Sequence, residues 1–272
     1  MKTAILITCH NRKEQTKKCL NSLLSSQLNN DVFLVDDGSI DGTTDMIRNE
    51  YPHIHLIQGD GSLYWSRGMY TAWKEALKND YDHYLWLNDD IVLYPSFYKE
   101  LIECKNIISH TCIVSGLVED VETKKIIYGG YNQKKEIILP NDTPQEIRYM
   151  NGNVVLVPKE VVKEIGIIDP TYHHDLGDLD YGLTAIKRGI KVVSTRKAIA
   201  CSKREKICRI KKWNVSIIER FKYLHSPLGS PPRINFYYRK KHFGITNALI
   251  YYLYLYAINI LPDRYISEKY KN

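Results

Sequence analysis

No two of the six cysteines (Cys9, Cys19, Cys104, Cys112, Cys201 and Cys208) form a C-x-x-C pair, and the closest two, Cys201 and Cys208, lack a histidine at zinc-finger spacing. A reduced, cytosolic chain fits that usage best. A secretory leader is not expected either: the opening run Thr3–Thr8 turns polar at Cys9-His10-Asn11-Arg12, too soon for an export h-region. Without export, the sequons at Asn141 and Asn214 carry no meaning. Internal repeats, low-complexity segments and recognised nucleic-acid motifs are all missing. What is present is 272 residues, 44% hydrophobic and 25% charged, enough for one large core or one core with a small appendage. Lys and Arg total 38 against 31 Asp and Glu, and most of the excess lies after residue 186.

Residues 3–8 form an apolar run of the buried-strand type, and 13–27 place Cys19, Leu20, Leu23 and Leu24 at helical spacing. Val32–Val35 reads as a second buried strand, stopped at Asp36-Asp37-Gly38-Ser39, and His55–Ile57 as a third. From Ser66 to Asn79, Met69, Ala72, Trp73, Ala76 and Leu77 share one helical face. Tyr84–Leu87 is the next strand, and it too ends at an acidic loop. This alternation predicts an α/β fold with a parallel sheet covered on both faces, its ligands gathered at the carboxyl ends of the strands. Further strands are expected at 112–118, 126–128, 153–157 and 190–193. Helices are expected over 158–165, ended by Gly166, and 178–188, ended by Gly189.

Three constellations can carry chemistry. In Val35–Thr43, Asp36 and Asp37 can accept hydrogen bonds from a base or ribose, and the glycines allow close approach; a plain turn before a helix cap has the same pattern. A calcium loop starting at Asp37-x-Ser39-x-Asp41 fails at its twelfth position, Arg48. In Asn88-Asp89-Asp90, two acids follow a strand. Mg2+ or Mn2+ binds one or two such carboxylates and completes its shell with water and diphosphate oxygens, whereas solvated loop acids are the plain alternative. In His173–Tyr181, helix-start carboxylates can take a proton from an attacking hydroxyl, or only cap the helix, and His173-His174-Asp175 is a further metal candidate.

In this order the motifs resemble the inverting family 2 glycosyltransferases with the GT-A fold. Thr8–Arg12 looks like the family's opening strand and loop, and Asp36–Ser39 like its nucleotide-binding turn. Asn88–Asp90 looks like its D-x-D metal motif, and Gly177–Asp180 like its E-D-x-D base motif. The resemblance implies a GT-A-like, Rossmann-related mixed sheet flanked by helices, with a C-terminal helical extension. It implies that Thr8 and Asp36 contact the base, with Asn11, Arg12 and Asp37 among the donor-binding residues, and that Asn88 and Asp89 lie near the ribose and diphosphate. Asp90 would bind Mg2+ or Mn2+, and Asp178 would be the general base. Asn88 stands where many members have an acid, and Gly177 replaces the usual Glu. Two more segments fit such a site. In Gly59–Gly68, Ser66 can cap a helix while Arg67 faces diphosphate, or Tyr64 and Trp65 can be core aromatics. Met150-Asn151-Gly152-Asn153 can present Asn151 and Gly152 to donor sugar or acceptor, or be a turn.

After Cys201 the chain turns basic, with Lys203-Arg204, Lys206, Arg209, Lys211-Lys212 and Arg239-Lys240-Lys241. Ser226–Pro232 reads as a break, so the expected domains are 1–225, nucleotide-sugar-binding and catalytic, and 226–272, a helical extension. Phe243–Pro262 holds no charged residue, and four tyrosines lie between 251 and 256. An interfacial helix on anionic lipid, packing onto the catalytic domain and a membrane span are the three readings. The whole pattern points to a metal-dependent inverting hexosyl- or deoxyhexosyltransferase. Its donor would be a UDP- or dTDP-sugar and its acceptor a glycan, lipid-linked, in bacterial capsule or O-antigen synthesis. It would work in the cytoplasm at the inner face of the membrane, through peripheral contact of the basic region, with no nucleic acid as partner. A sugar-1-phosphate nucleotidyltransferase and a silent membrane-associated nucleotide-sugar-binding protein are the alternatives.

Overall fold

The structure, a computed structural model, describes residues 1–26, 30–203 and 208–263. The end of the helix expected to reach 27, the basic residues Arg204 and Lys206, and the chain after 263 lie outside the described residues. Packing divides the chain into two compact units, Met1–Pro170 with Gly177–Arg204, and Thr171–Leu176 with Glu205–Asn272.

The first unit begins with β1 (Thr3–Cys9), α1 (Lys13–Leu24), β2 (Asp31–Asp36), α2 (Thr43–Glu50), β3 (His55–Gln58), α3 (Tyr64–Ala76) and β4 (His83–Leu87). Every residue of β1 is buried, which is why it reads as an unbroken apolar run: both faces of its sheet are covered. Ile5, Ile7 and Cys9 join the apolar cluster that holds Leu20 and Leu23 of α1 and Met46 of α2. Ala4 and Leu6 join the other cluster, with Met69, Ala72 and Trp73 of α3. The four strands are parallel in the order β3-β2-β1-β4, as the alternation predicts.

Beyond β4 come β5 (Val92–Leu93), α4 (Phe97–Ile108), β6 (Ile113–Asp120), β7 (Ile126–Tyr128), β8 (Gly130–Tyr131), β9 (Tyr149–Met150) and β10 (Val154–Pro158). They are followed by α5 (Lys159–Ile165), α6 (Gly177–Lys187) and β11 (Val192–Ser202). β10 runs antiparallel between β4 and β6, so the sheet is mixed: β3-β2-β1-β4-β10-β6-β11-β5, with β7 added on β6. This topology builds the site. Parallel neighbours β2, β1 and β4 deliver the loops after Asp36, Cys9 and Leu87 to one edge of the sheet. Antiparallel β10 sets Val154 opposite Leu87 and so brings 151–153 to the same edge.

α4 is absent from the sequence expectation, and its buried face explains why. Beside Phe97, Leu101 and Cys104 that face carries Glu100 and Lys105, charges that break the apolar period. Tertiary partners make them tolerable. Glu100 accepts from Arg196 of β11 through the main-chain amide and Nε, both at 3.0 Å, and through Nη2 at 2.8 Å. Burial opposes the charge of Glu100, but the bonds from Arg196 and Cys104 outweigh it and hold the carboxyl below its ordinary range. Burial, followed by the charge of Lys105, lowers His83 to about 4. The neutral imidazole can therefore accept from Lys105 Nζ at 2.8 Å.

The second unit contains α7 (Ile217–His225), α8 (Pro232–Phe243) and α9 (Ile245–Ile260). A capping box between Ser216 and Glu219 starts α7, and Gly244 at φ +87° turns the chain from α8 into α9. The last carbonyls of α9 are closed from outside the helix. Lys211 Nζ donates to Ile258 O at 3.0 Å and Leu261 O at 2.6 Å, and Arg220 Nη1 to Leu261 O at 3.1 Å. Both cations also pair with Asp263, at 3.0 and 3.1 Å. These bonds tie α7 and the segment before it to α9 within the second unit. No helix among the described residues is long and apolar enough to cross a membrane. The spanning reading of 243–262 is corrected accordingly: α9 has 16 residues.

Arg196→Met should destabilise the first unit, because it leaves the buried Glu100 carboxylate with only the main-chain amide of residue 196 and the Cys104 thiol as donors. Thermal unfolding measures the loss, and adding Glu100→Gln to the same chain should recover part of it.

Candidate functional site

The loop after β2 is tied down by its own acids. Asp36 is fully buried; its Oδ1 accepts from Ser39 N at 3.1 Å and its Oδ2 from the Thr44 hydroxyl. Asp37 reaches a distant loop, where Oδ1 accepts the amides of Gly61 at 2.9 Å and Leu63 at 3.2 Å, and Oδ2 that of Tyr64 at 2.8 Å. The amides of Leu63 and Tyr64 are donors at the start of α3, which no helical carbonyl satisfies. Asp37 therefore does the work expected of Ser66, which lies inside the first turn of α3 and is buried. Gly38 has φ +70°, and a side chain there would meet Gly61 N at 2.8 Å, so glycine is what lets the two loops touch. Asn11 joins them, donating its amide to Ser39 Oγ and accepting from Ile40 N, both at 2.8 Å. Asp41 is committed to the amides of Lys13 and Thr43, so the calcium-loop arrangement does not form.

The Cβ that Gly68 lacks would lie 2.2 Å from Thr8 Oγ1, so α3 rests directly on the end of β1. One turn earlier, Trp65 points to the acidic loop and donates Nε1 to Asn88 Oδ1 at 2.7 Å. Asn88 in turn donates Nδ2 to Asn153 Oδ1 at 2.7 Å and its main-chain amide to Asn153 O at 2.9 Å. An amide suits this position because it both accepts from Trp65 and donates to Asn153, whereas a carboxylate only accepts. The departure at Asn88 thus has a structural cause.

Asp178, in the first turn of α6, holds two amides, Gly152 N on Oδ2 and its own neighbour Leu179 N on Oδ1, both at 2.8 Å. A Cβ on Gly152 would sit 2.5 Å from Trp65 Cη2 and 3.1 Å from Asp178 Cβ. A Cβ on Gly177 would sit 2.5 Å from Ser66 Oγ and 3.0 Å from Ile168 Cδ1, so the space an acid would need there is filled. Trp65, which the sequence offers either within a site segment or as a core aromatic, is the link from the Asn88 loop to Asp178. Its signal was the acceptor its indole needs. Asn151 Oδ1 is buried without a partner, and Arg67 Nε donates to Pro170 O at 3.0 Å.

Arg12 gathers the acid pair. Its Nη1 lies 3.0 Å from Asp90 Oδ2 and 3.4 Å from Asp89 Oδ1, and Asp89 Oδ2 also accepts from Thr16 at 3.5 Å. Burial and then the charge of Asp90 raise Asp89 to about 7, against the pull of Arg12. Asp90 is the more open of the two, its side chain 26% exposed against 9% for Asp89.

Residues 4–165 match the family described as Glycosyl transferase family 2. The chain belongs to that family. Asp178 lies beyond the matched segment. No curated protein is matched. Among solved structures, that of S. aureus TarS is similar at TM-score 0.56 and 14% identity, covering 75% of this chain and 60% of that one. TarS in complex with UDP-GlcNAc is similar at TM-score 0.58 and 13% identity, covering 94% and 72%. GalNAc-T7 with UDP, GalNAc and Mn2+ is similar at TM-score 0.61 and 12% identity, covering 89% and 55%. The likeness identifies the GT-A fold, and the chain spans 60% of the first of these relatives.

In this family 2 chain, no group of three ligating side chains converges among the described residues. His174 and Asp175, offered by the sequence as metal ligands, face Arg209 instead, at 3.0 and 3.9 Å. Among the described residues no side chains therefore build a cage for a cation by themselves. Asp90 fits the other mode, in which a carboxylate shares the ion with diphosphate oxygens.

The unfolded chain loses the Asp89 proton near an ordinary carboxylate pKa, about 3.9, whereas the folded chain keeps it to about 7. Between those values the unfolded state binds fewer protons, so stability falls as pH rises and levels off above 7. Asp89→Asn does not titrate. Its melting temperature relative to wild type should rise from pH 5 to pH 8 in chelator-treated buffer.

Proposed function

We propose that the protein transfers a sugar from a UDP- or dTDP-sugar to a hydroxyl of a glycan acceptor, with inversion at the anomeric carbon. The observation that carries this reading is Asp178, a carboxylate fixed by two amides on the sheet edge that holds Asn88-Asp89-Asp90. Family membership and the UDP-sugar in the TarS complex support the donor class.

The acceptor oxygen attacks the anomeric carbon as the bond from that carbon to the diphosphate oxygen breaks. Asp178 takes the hydroxyl proton, most effectively as the oxygen gains bonding to carbon. Mg2+ or Mn2+ on Asp90 would neutralise the charge growing on the departing nucleotide diphosphate. Asp36, Asp37 and Asn11 hold the turn that receives the nucleotide, with Thr8 beneath it, and Asn88 and Asp89 line the ribose and diphosphate. Arg12 and Arg67 add positive charge beside the diphosphate, while Asn151 and Gly152 border the sugar. Trp65 keeps the base and the acid loop at a set separation.

The acceptor we favour is a lipid-linked glycan in capsule or O-antigen synthesis, met at the inner face of the cell membrane. The positive excess after residue 186 supports it. In this reading the first unit binds donor and performs transfer, and the second meets the membrane.

Asp178→Asn should retain metal-dependent donor binding and lose transfer by about 10²–10⁴-fold, the usual contribution of a general base. Asp90→Ala should instead weaken donor binding, read as lost thermal stabilisation by a panel of UDP- and dTDP-sugars with Mn2+. Full transfer by Asp178→Asn overturns the base assignment. Donor binding with neither transfer nor donor hydrolysis would leave a silent binding protein.

A further inference from the structure

A helix packed in a soluble unit normally turns its apolar stripe inward and its polar side to water. α9 is apolar on both sides. Ala248, Leu255 and Ile258 are buried, yet Leu249, Ile250, Leu253, Ala257 and Ile260 are exposed. The exposed five fall at i, i+1, i+4, i+8 and i+11, a single helical face. Leu253 is 66% exposed and Ile250 64%.

The surface continues onto α7. The Tyr256 ring lies 5.9 Å from those of Phe221 and His225, and the Tyr252 ring lies tilted beside it at 5.1 Å. Ile217, Ile218 and Phe221 border an open hollow flanked by Lys222 and His225. Ile217 is 50% exposed and Ile218 66%. Contiguous apolar surface of this kind marks an interaction site.

Charge selects the occupant. From Arg220 to Pro262 there is no Asp or Glu, whereas Arg220, Lys222, Arg233, Arg239, Lys240 and Lys241 are all cationic. Arg220 is paired with Asp263 and Arg239 lies over the Tyr251 ring, while Lys222, beside the hollow on α7, and Arg233 and Lys240 of α8 are exposed. A second copy of the chain would bring the same cations against these. An anionic bilayer neutralises them while its acyl boundary takes the apolar stripe, and tyrosine rings suit the headgroup level between the two.

We propose that the exposed face of α9, continued by Ile217, Ile218 and Phe221 of α7, docks into the headgroup layer of an anionic lipid bilayer. This deepens the membrane-side reading above by naming the surface and the lipid charge, and it does not depend on the donor chemistry.

The test is flotation of the full chain with vesicles of phosphatidylcholine, alone or mixed with phosphatidylglycerol. Binding should need the anionic lipid, weaken at high salt and fall about tenfold or more in Leu253→Glu and in Ile218→Glu. Both positions are exposed, so metal-dependent donor hydrolysis should be unchanged in these variants. In Leu253→Trp, emission should shift to the blue and be quenched by brominated lipid beyond the wild-type level. No vesicle binding, binding unaffected by either Glu variant, or no added quenching overturns the proposal. So does a salt-resistant dimer that Leu253→Glu dissociates, since a second copy would then be the occupant. For the unsubstituted chain, absent vesicle binding with intact hydrolysis sinks the docking surface alone; absent hydrolysis with intact vesicle binding sinks only the enzymatic reading.

Discussion

The hydrogen bond from the Trp65 indole to Asn88 holds together two parts of the site that the chain supplies from far apart. Asn88 belongs to the acidic loop after β4, and Asp178 to the first turn of α6. Trp65 bonds the first and packs against Gly152, whose amide holds the second. The indole can do this only if α3 is fixed in height and rotation. Contact of Gly68 with Thr8 sets the height, and the Asp37 carboxylate on the first amides sets the start. Hydrogen bonds to a charged acceptor contribute about 1.5–3 kcal/mol each, so the Asp37 cap alone outweighs ordinary helix propensity at that end.

The same economy of buried charge runs through the first unit. Asp36 and Asp37 are satisfied by amides and hydroxyls, Glu100 by Arg196, and Asp89 and Asp90 by one guanidinium. Burial and the like charge beside it still leave Asp89 raised to about 7, while its neighbours elsewhere in the unit have several donors apiece. Two adjacent acids meet one arginine there, and perturbed carboxyls of this kind cluster where chemistry happens. The second unit has the opposite balance, with cations in excess and apolar side chains uncovered.

The motifs legible in the sequence were those whose physics is local. β1, β2 and β4 are runs buried on both faces, and α1 and α3 have apolar residues at a helical period, so type and approximate ends follow from neighbours alone. α4 was hidden because Glu100 and Lys105 interrupt its period, and their partners, Arg196 and His83, are remote in the chain. Ser66 looked like a helix cap since the true one, Asp37, lies 27 residues from the amide of Tyr64.

Composition and periodicity by themselves determined an α/β chain with acids at strand ends, a helix-start carboxylate and a basic, aromatic end. Only the tertiary structure decided the antiparallel insertion of β10, which carries Gly152 to Asp178, because strand order is set by pairing between distant segments. It decided that Asn88 and Gly177 stand where acids were expected for reasons of bonding and space. It also decided which side of α9 is bare: a helix with apolar residues on opposite sides holds no record of which face its neighbours cover.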